Sequence, residues 1–238
     1  MKRNKFSLSH YKLLSCDMGE LVPIGLTEVL PGDTIQQATS TLVRVSPLLA
    51  PVMHPVHIRI HHWFVPHRLV WEDWEDFITG GPDGMDASAF PTIITTYSAG
   101  PPATGTGIVG GLADYMGVPP YIPQEVSALP FRAYARIWNE WYRDQDLQTP
   151  LVIDKGSGPD TTTNMTLQNV DWEKDYFTSA RPWTQKGPEV TIPLVGDAPV
   201  KGIGKDNNIW GGGSTNVYET GGTGTVNYPA SDNSPIVR

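Results

Sequence analysis

Five of the six histidines, His54, His57, His61, His62 and His67, fall in one stretch, MHPVHIRIHHWFVPHRLVWEDWEDF, between residues 53 and 77. Imidazole is the commonest metal ligand and the usual general base, so this density raises metal or acid–base chemistry. Spacing bears on the question. Val56, Ile58 and Ile60 alternate with His57, Arg59 and His61, and Pro55 and Pro66 bracket the run. This two-residue period predicts a β-strand over 56–65 with the aliphatic residues toward a core. On a strand, His57 and His61 lie about 13 Å apart at roughly 3.3 Å per residue. Arg59 stands between them as a fixed cation, which opposes a metal ion. No metal is expected at His57 and His61, and no Cys or acidic cluster supplies His62 or His67 with a distant partner site.

Two other patterns carry chemistry on paper. Glu72, Asp73, Glu75 and Asp76 could include a glycosidase pair. They alternate with Val70, Trp71, Trp74 and Phe77 or Ile78, which step by three and four, so they belong to the solvent face of a short helix ended by Gly80-Gly81. The letters GTGIVG at 105–110 match a dinucleotide fingerprint. That fingerprint needs a strand directly before it and a helix directly after it. Here SAGPPAT separates it from the nearest strand candidate, TIITTY, so neither a nucleotide nor any other cofactor is expected. No catalytic set emerges, and the chain does not read as an enzyme.

The elements available to position side chains follow from composition. The 238 residues include 24 glycines and 22 prolines, with 39% hydrophobic and 18% charged. A core is affordable, loops are abundant, and extended segments should outnumber helices. Residues 20–66 read as β structure, including TIQQATSTLVRVSPL, and later TTTNMTLQNVDW and EVTIPLV can form strands. The clearest helix is SALPFRAYARIWNEWYRDQDL, 127–147, expected to be helical over 130–143. Ser127 can cap it and Pro130 suits its first turn. Phe131, Tyr134, Ala135, Trp138, Trp141 and Tyr142 form its apolar stripe. Arg132, Arg136, Asn139, Glu140, Arg143 and Asp144 fill the remaining face. Phe131, Trp138 and Trp141 are therefore candidates for a core or a subunit interface.

Charge narrows the partners. There are 17 basic and 25 acidic side chains, net −8, so general nucleic-acid binding is disfavoured and only a local basic patch could serve it. Lys2, Arg3 and Lys5 make such a patch, or else an ordinary solvated tail. The single cysteine, Cys16, closes no disulfide within the chain and fits a reducing compartment. No run of 18 apolar residues exists to span a membrane, and LLSC at 13–16 lacks the apolar region of a lipoprotein signal. From residue 201 the sequence is glycine-rich and nearly aperiodic. It reads as a polar surface excursion of a chain expected to continue past Arg238.

Five long, Trp-, Pro- and Phe-rich segments carry a resemblance: KFSLSHYKLLSCDMGELVPIGLTEVLPGDT (5–34), FVPHRLVWEDWEDF (64–77), LADYMGVP (112–119), LPFRAYARIWNEWYRDQDLQTP (129–150) and YFTSARPWTQKGPEVTIPL (176–194). Together they resemble the N-terminal part of the major capsid protein of microviruses, in particular the gokushovirus group. The resemblance implies a mainly β fold, a viral jelly roll with large loop and short-helix insertions. It divides the chain into a basic N-terminal arm (1–20), part of the jelly-roll domain (21–200) and a glycine-rich surface insertion (201–238). It implies a structural protein of the virion that self-assembles, by way of pentamers, into a small icosahedral shell around circular single-stranded DNA, assembled in a bacterial host cytoplasm. A small basic DNA-packaging protein and a host-surface receptor would be partners. Lys2, Arg3 and Lys5 would face the DNA, and Ile209, Trp210, Val217 and Tyr218 would meet their copies in protrusions at threefold axes. From the residues alone, a carbohydrate-binding or carbohydrate-active β-sandwich is the alternative, prompted by eight tryptophans and many carboxylates. A soluble single-stranded-DNA-binding protein is a third, more distant reading.

Overall fold

A computed structural model describes residues 4–100, 102–181, 202–205 and 217–220, the last two stretches as backbone. The chain divides into two units, Met1–Ala180 and Arg181–Arg238.

In the first unit the order is a single 3₁₀ turn (His67–Leu69), α1 (Trp74–Thr79), β1 (Thr92–Ile94), α2 (Leu112–Tyr115), β2 (Glu125–Ser127), α3 (Leu129–Ile137) continuing as a π-turn (Trp138–Tyr142), and β3 (Pro159–Asp160). β1 lies at the centre of a three-stranded sheet. It pairs antiparallel with β2, Ile93 opposite Val126, and parallel with β3, Ile93 opposite Asp160. Most described residues lie in neither helix nor strand, as the glycine and proline content implies.

The core gathers around α3. Phe131 and Tyr134 pack with Ile93, Leu112, Ala113, Ala128 and Met165. A smaller cluster joins Val70, Trp71 and Leu129. The helix forms where the sequence places it: Pro130 occupies the first turn and the Ser127 hydroxyl accepts the Leu129 amide at 3.3 Å. Phe131, Tyr134, Ala135 and Trp138 are buried along one side, a stripe at steps of three, one and three. α1 is shorter than its pattern. Val70 and Trp71 are buried ahead of it, and Gly80 ends it at φ 86° with its amide on the Asp76 carbonyl, a conformation glycine adopts without a Cβ penalty.

Two expectations require correction. Residues 56–65 do not form a strand, and neither do 34–48. Among the described residues, no backbone hydrogen bond joins 56–65 to another segment. Val56 and Ile58 are consequently half exposed instead of facing a core. Alternation selects a strand only when a neighbouring ladder takes up the amides and carbonyls, and none is present among the described residues. Of the region 20–66, the ladder-like contact is one isolated bridge, Glu20 to Asn169, flanked by the Leu21 amide on the Gln168 carbonyl and the Val170 amide on the Gly19 carbonyl.

The second unit contains β4 (Gly202–Lys205) and β5 (Val217–Thr220), paired antiparallel with Gly204 opposite Tyr218. The sequence suggests a structureless excursion here. A hairpin ladder is made by backbone groups and needs no apolar period, so its absence from the pattern is understandable. EVTIPLV lies outside the described residues, as does the expected 200/201 boundary.

Candidate functional site

The most tightly built polar group is centred on Arg132. Its side chain and that of Asp160 are both fully buried, with Nε donating to Oδ2 at 2.8 Å. Nη1 donates to the Val70 carbonyl at 3.2 Å and the Gly156 carbonyl at 3.0 Å. Asp160 also accepts the Thr163 hydroxyl at 2.6 Å and the amides of Thr163 and Thr162 at 2.9 and 3.1 Å. Burial pushes this carboxyl up, but the Thr163 hydroxyl and amide, the Arg132 guanidinium and the Thr162 amide outweigh it and hold it below 3.8. The sequence reading put Arg132 among the polar face of the helix; the structure puts it inside. One ion pair thus ties α3 to β3, to the end of the 3₁₀ turn and to the 156 loop. Trp71 adds to the same junction, donating to the Ser157 hydroxyl at 2.8 Å, which in turn donates to Asp73 at 2.6 Å.

A second fixed point is Tyr134. Its hydroxyl donates to the Leu21 carbonyl and accepts the Gln168 amide, both at 2.9 Å. Burial, against the Gln168 hydrogen bond and with the Glu20 charge, pushes the phenol up to about 12. The neutral phenol is the form the fold prefers, so its contribution is complete below about pH 10 and is lost as pH rises through about 12. An absorbance titration should therefore show one tyrosine ionising near pH 12 together with unfolding. Tyr134→Phe should remove that step and, by orphaning the Leu21 carbonyl and the Gln168 amide, cost about 1–3 kcal/mol in a denaturant titration. Nearby, Tyr115 donates to the Ser15 carbonyl at 2.6 Å, and Lys12 donates to the carbonyls of Tyr115 and Pro23. The N-terminal segment is fastened to the body from Lys12 onward.

The third feature is an aromatic surface. A shallow cavity of about 470 Å³ is lined by Ile60, His61, His62, Trp63, Trp141 and Tyr142. Trp63 and Trp141 lie 4.8 Å apart between ring centres, tilted by 37°. His61 stacks on Tyr142 at 5.8 Å and 19°. His61 Nδ1 bonds the Tyr142 hydroxyl, which also accepts Trp63 Nε1 at 3.2 Å. The sequence makes Phe131, Trp138 and Trp141 candidates for a core or a subunit interface. Phe131 and Trp138 are buried, whereas Trp141 is 67% exposed within the chain. The cause is the π-turn: the Arg143 amide bonds the Trp138 carbonyl, five residues back, and the added residue turns Trp141 off the stripe.

The remaining candidates separate. His61 and His62 line the aromatic cavity, while His67 stacks on Trp74 at 4.2 Å. Among the described residues no three His, Cys, Asp or Glu side chains converge as metal ligands. Glu72, Glu75 and Asp76 are exposed. GTGIVG does not open a helix after a strand. Gly105 is needed because a Cβ there would sit 2.3 Å from the Thr96 carbonyl oxygen at φ +126°, a steric role with no phosphate in it. Lys5 is exposed; Lys2, Arg3, Ile209 and Trp210 lie outside the described residues, and Val217 and Tyr218 are described as backbone of β5. None of this constellation is a nucleophile set beside a base; it consists of fasteners and an exposed aromatic face.

Comparison with known proteins agrees with that character. The family model for the capsid protein (F protein) matches residues 1–233. The capsid protein VP1 of Bdellovibrio phage phiMH2K is 38% identical over 199 residues, covering 83% of this chain and 36% of the relative. VP1 of Chlamydia phage 1 is 35% identical, covering 85% of this chain and 38% of the relative, and VP1 of Spiroplasma virus 4 is 32% identical, covering 83% and 37%. The chain spans a little over a third of the length of these relatives.

Proposed function

The chain belongs to the capsid protein (F protein) family, and on that premise we propose that it acts as a structural coat protein of a small bacteriophage, many copies of which form an icosahedral shell around circular single-stranded DNA. The observation that carries this reading is the family match across residues 1–233. The physical character of the chain supports it: the described side chains form fasteners between loops, and large apolar residues such as Phe6, Tyr11, Leu13 and Phe64 are left exposed, which suits a chain that buries surface on assembly.

In this reading the small sheet and α3 belong to the insertions of a viral jelly roll. Lys2, Arg3 and Lys5 lie on the inner surface, where positive charge offsets repulsion between an acidic coat and DNA, aided by a small basic packaging protein. Residues 201–238 leave the shell as an outward excursion at the threefold axes, available to a host receptor. The carbohydrate-binding alternative has no comparable support.

The test is electron microscopy and sedimentation of the full-length protein expressed in bacteria. Pentamers or closed shells are the expected result. A protein that stays monomeric at all concentrations and binds glycans would overturn the reading.

A further inference from the structure

We propose that Asp83 is a site of spontaneous isoaspartate formation, by closure of its carboxyl on the Gly84 amide. This is covalent chemistry of the loop between α1 and β1, and it stands whether or not the chain builds a shell.

Asp83-Gly84 is the one Asp-Gly pair in the 238 residues, and the chain has no Asn-Gly pair. Both residues are exposed. The Met85 amide donates to Asp83 Oδ1 at 3.0 Å. A side chain that reaches the amide two residues on is folded back over the peptide between them, which brings Cγ toward the Gly84 nitrogen. Other aspartates share that shape. Asp86 accepts the Ser88 amide, Asp154 the Gly156 amide, Asp160 the Thr162 amide and Asp175 the Phe177 amide. They are followed by Ala87, Lys155, Thr161 and Tyr176, each with a Cβ that crowds its own nitrogen. Gly84 has no Cβ, and nothing lies within 4 Å of where one would stand. Its amide is held by one long bond, to the Gly81 carbonyl at 3.3 Å, beyond the usual N–H···O range. Nucleophile, electrophile and open space therefore meet at this aspartate.

The step balances with water alone. The Gly84 nitrogen adds to Cγ of the Asp83 carboxylic acid. The acid's hydroxyl leaves with the amide proton as one water, and a five-membered imide remains. Water then opens the imide at either carbonyl. Opening at Cγ restores aspartate. Opening at the main-chain carbonyl carbon leaves the peptide running through Cγ, with a free carboxylate on Cα. One water is lost and one regained, and nothing is oxidised or reduced. In the isoaspartate form the main chain is one methylene longer, and the Met85 amide loses its Oδ1 partner. The damage stays in the loop. It is closed by its own atoms, the Gly84 amide on Gly81 and the Asp86 amide on Gly80 at 3.0 Å, and none of its residues from 81 to 86 belongs to either core cluster. The new carboxylate is a substrate for a carboxyl methyltransferase that uses S-adenosylmethionine.

The test ages the full-length folded protein in water enriched in heavy oxygen, at physiological temperature and pH, with a parallel sample in urea. Either ring opening leaves one solvent oxygen on the peptide, so mass spectrometry of digests reads closure at each aspartate. The peptide holding Asp83 is expected to gain one heavy oxygen several-fold faster than those holding Asp33 or Asp175. A fragment spectrum should place the label at Asp83 and not at Asp86. Treating the aged protein with an isoaspartate methyltransferase and labelled S-adenosylmethionine should put a methyl ester on the same peptide. Asp83→Glu, whose ring would have six members and closes far more slowly, should lose both signals. Uptake at Asp83 no faster than at the other aspartates overturns the inference, as does uptake that survives in Asp83→Glu. Uptake in urea with none in the folded protein also overturns it, because the folded loop would then hold carboxyl and amide apart.

Discussion

Replacing Arg132 with methionine is expected to cost about 3–5 kcal/mol, the usual loss when one partner of a buried ion pair is removed. The size of the effect comes from what is left behind. Asp160 would keep its Thr162 and Thr163 donors but would remain a fully buried carboxylate with no counter-ion. The carbonyls of Val70 and Gly156 would lose their donor as well. A domain has only about 5–15 kcal/mol in total, so thermal unfolding should fall on the order of 10 °C for a unit this size. Arg132→Lys should be intermediate. An ammonium keeps the charge, but it has no planar fork to reach Asp160 and two carbonyls at once.

The pair also predicts a pH profile. Asp160 titrates below 3.8 in the fold, so its unfolded form holds a proton more readily than its folded form. Its contribution is then fully present above the unfolded value and is lost as pH falls through the folded value. Asp160→Asn should flatten the acid limb of the stability curve while lowering stability at neutral pH. In the double variant Arg132→Met, Asp160→Asn, no buried charge is left. Its loss should be smaller than the two single losses added; full additivity in chemical denaturation would show that the two side chains do not act together.

The burial of Arg132 runs against its helical pattern for a physical reason. A 3.6-residue period assigns arginine to the polar face by type, and Arg132 does flank the stripe beside Phe131. What buries it is Asp160, 28 residues later, in a turn-rich segment with no period of its own. A long-range partner of this sort leaves no local mark. The helix itself was legible, because Pro130, Ser127 and the steps among Phe131, Tyr134, Ala135 and Trp138 are all local signals. So was the stop at Gly80. The strand over 56–65 was not, because alternation states which way side chains would face if a ladder existed and says nothing of where the ladder is. The aromatic surface was half legible: Trp141 stands out as a core or interface candidate and Trp63 does not, and the outward turn of Trp141 depends on one backbone bond from Arg143 to Trp138.

That bond makes two tryptophans three positions apart respond in opposite ways. Trp138 is 3% exposed, and its ring nitrogen donates to the Asn169 carbonyl at 2.7 Å. Trp138→Ala should cost about 3–5 kcal/mol through lost contacts and the cavity left behind. Trp138→Phe retains much of the volume but leaves the Asn169 carbonyl without its donor, so its loss should lie near 1–3 kcal/mol. The damage should spread to the N-terminal segment, because Asn169 also bridges to Glu20; faster hydrogen exchange at the Leu21 and Val170 amides is the signature to look for. Trp141→Ala removes an exposed ring and should change subunit stability by no more than about 0.5 kcal/mol. Denaturant melts of the three variants measure this directly. Equal losses at 138 and 141 would mean that both indoles are buried and that the helix runs on without its π-turn.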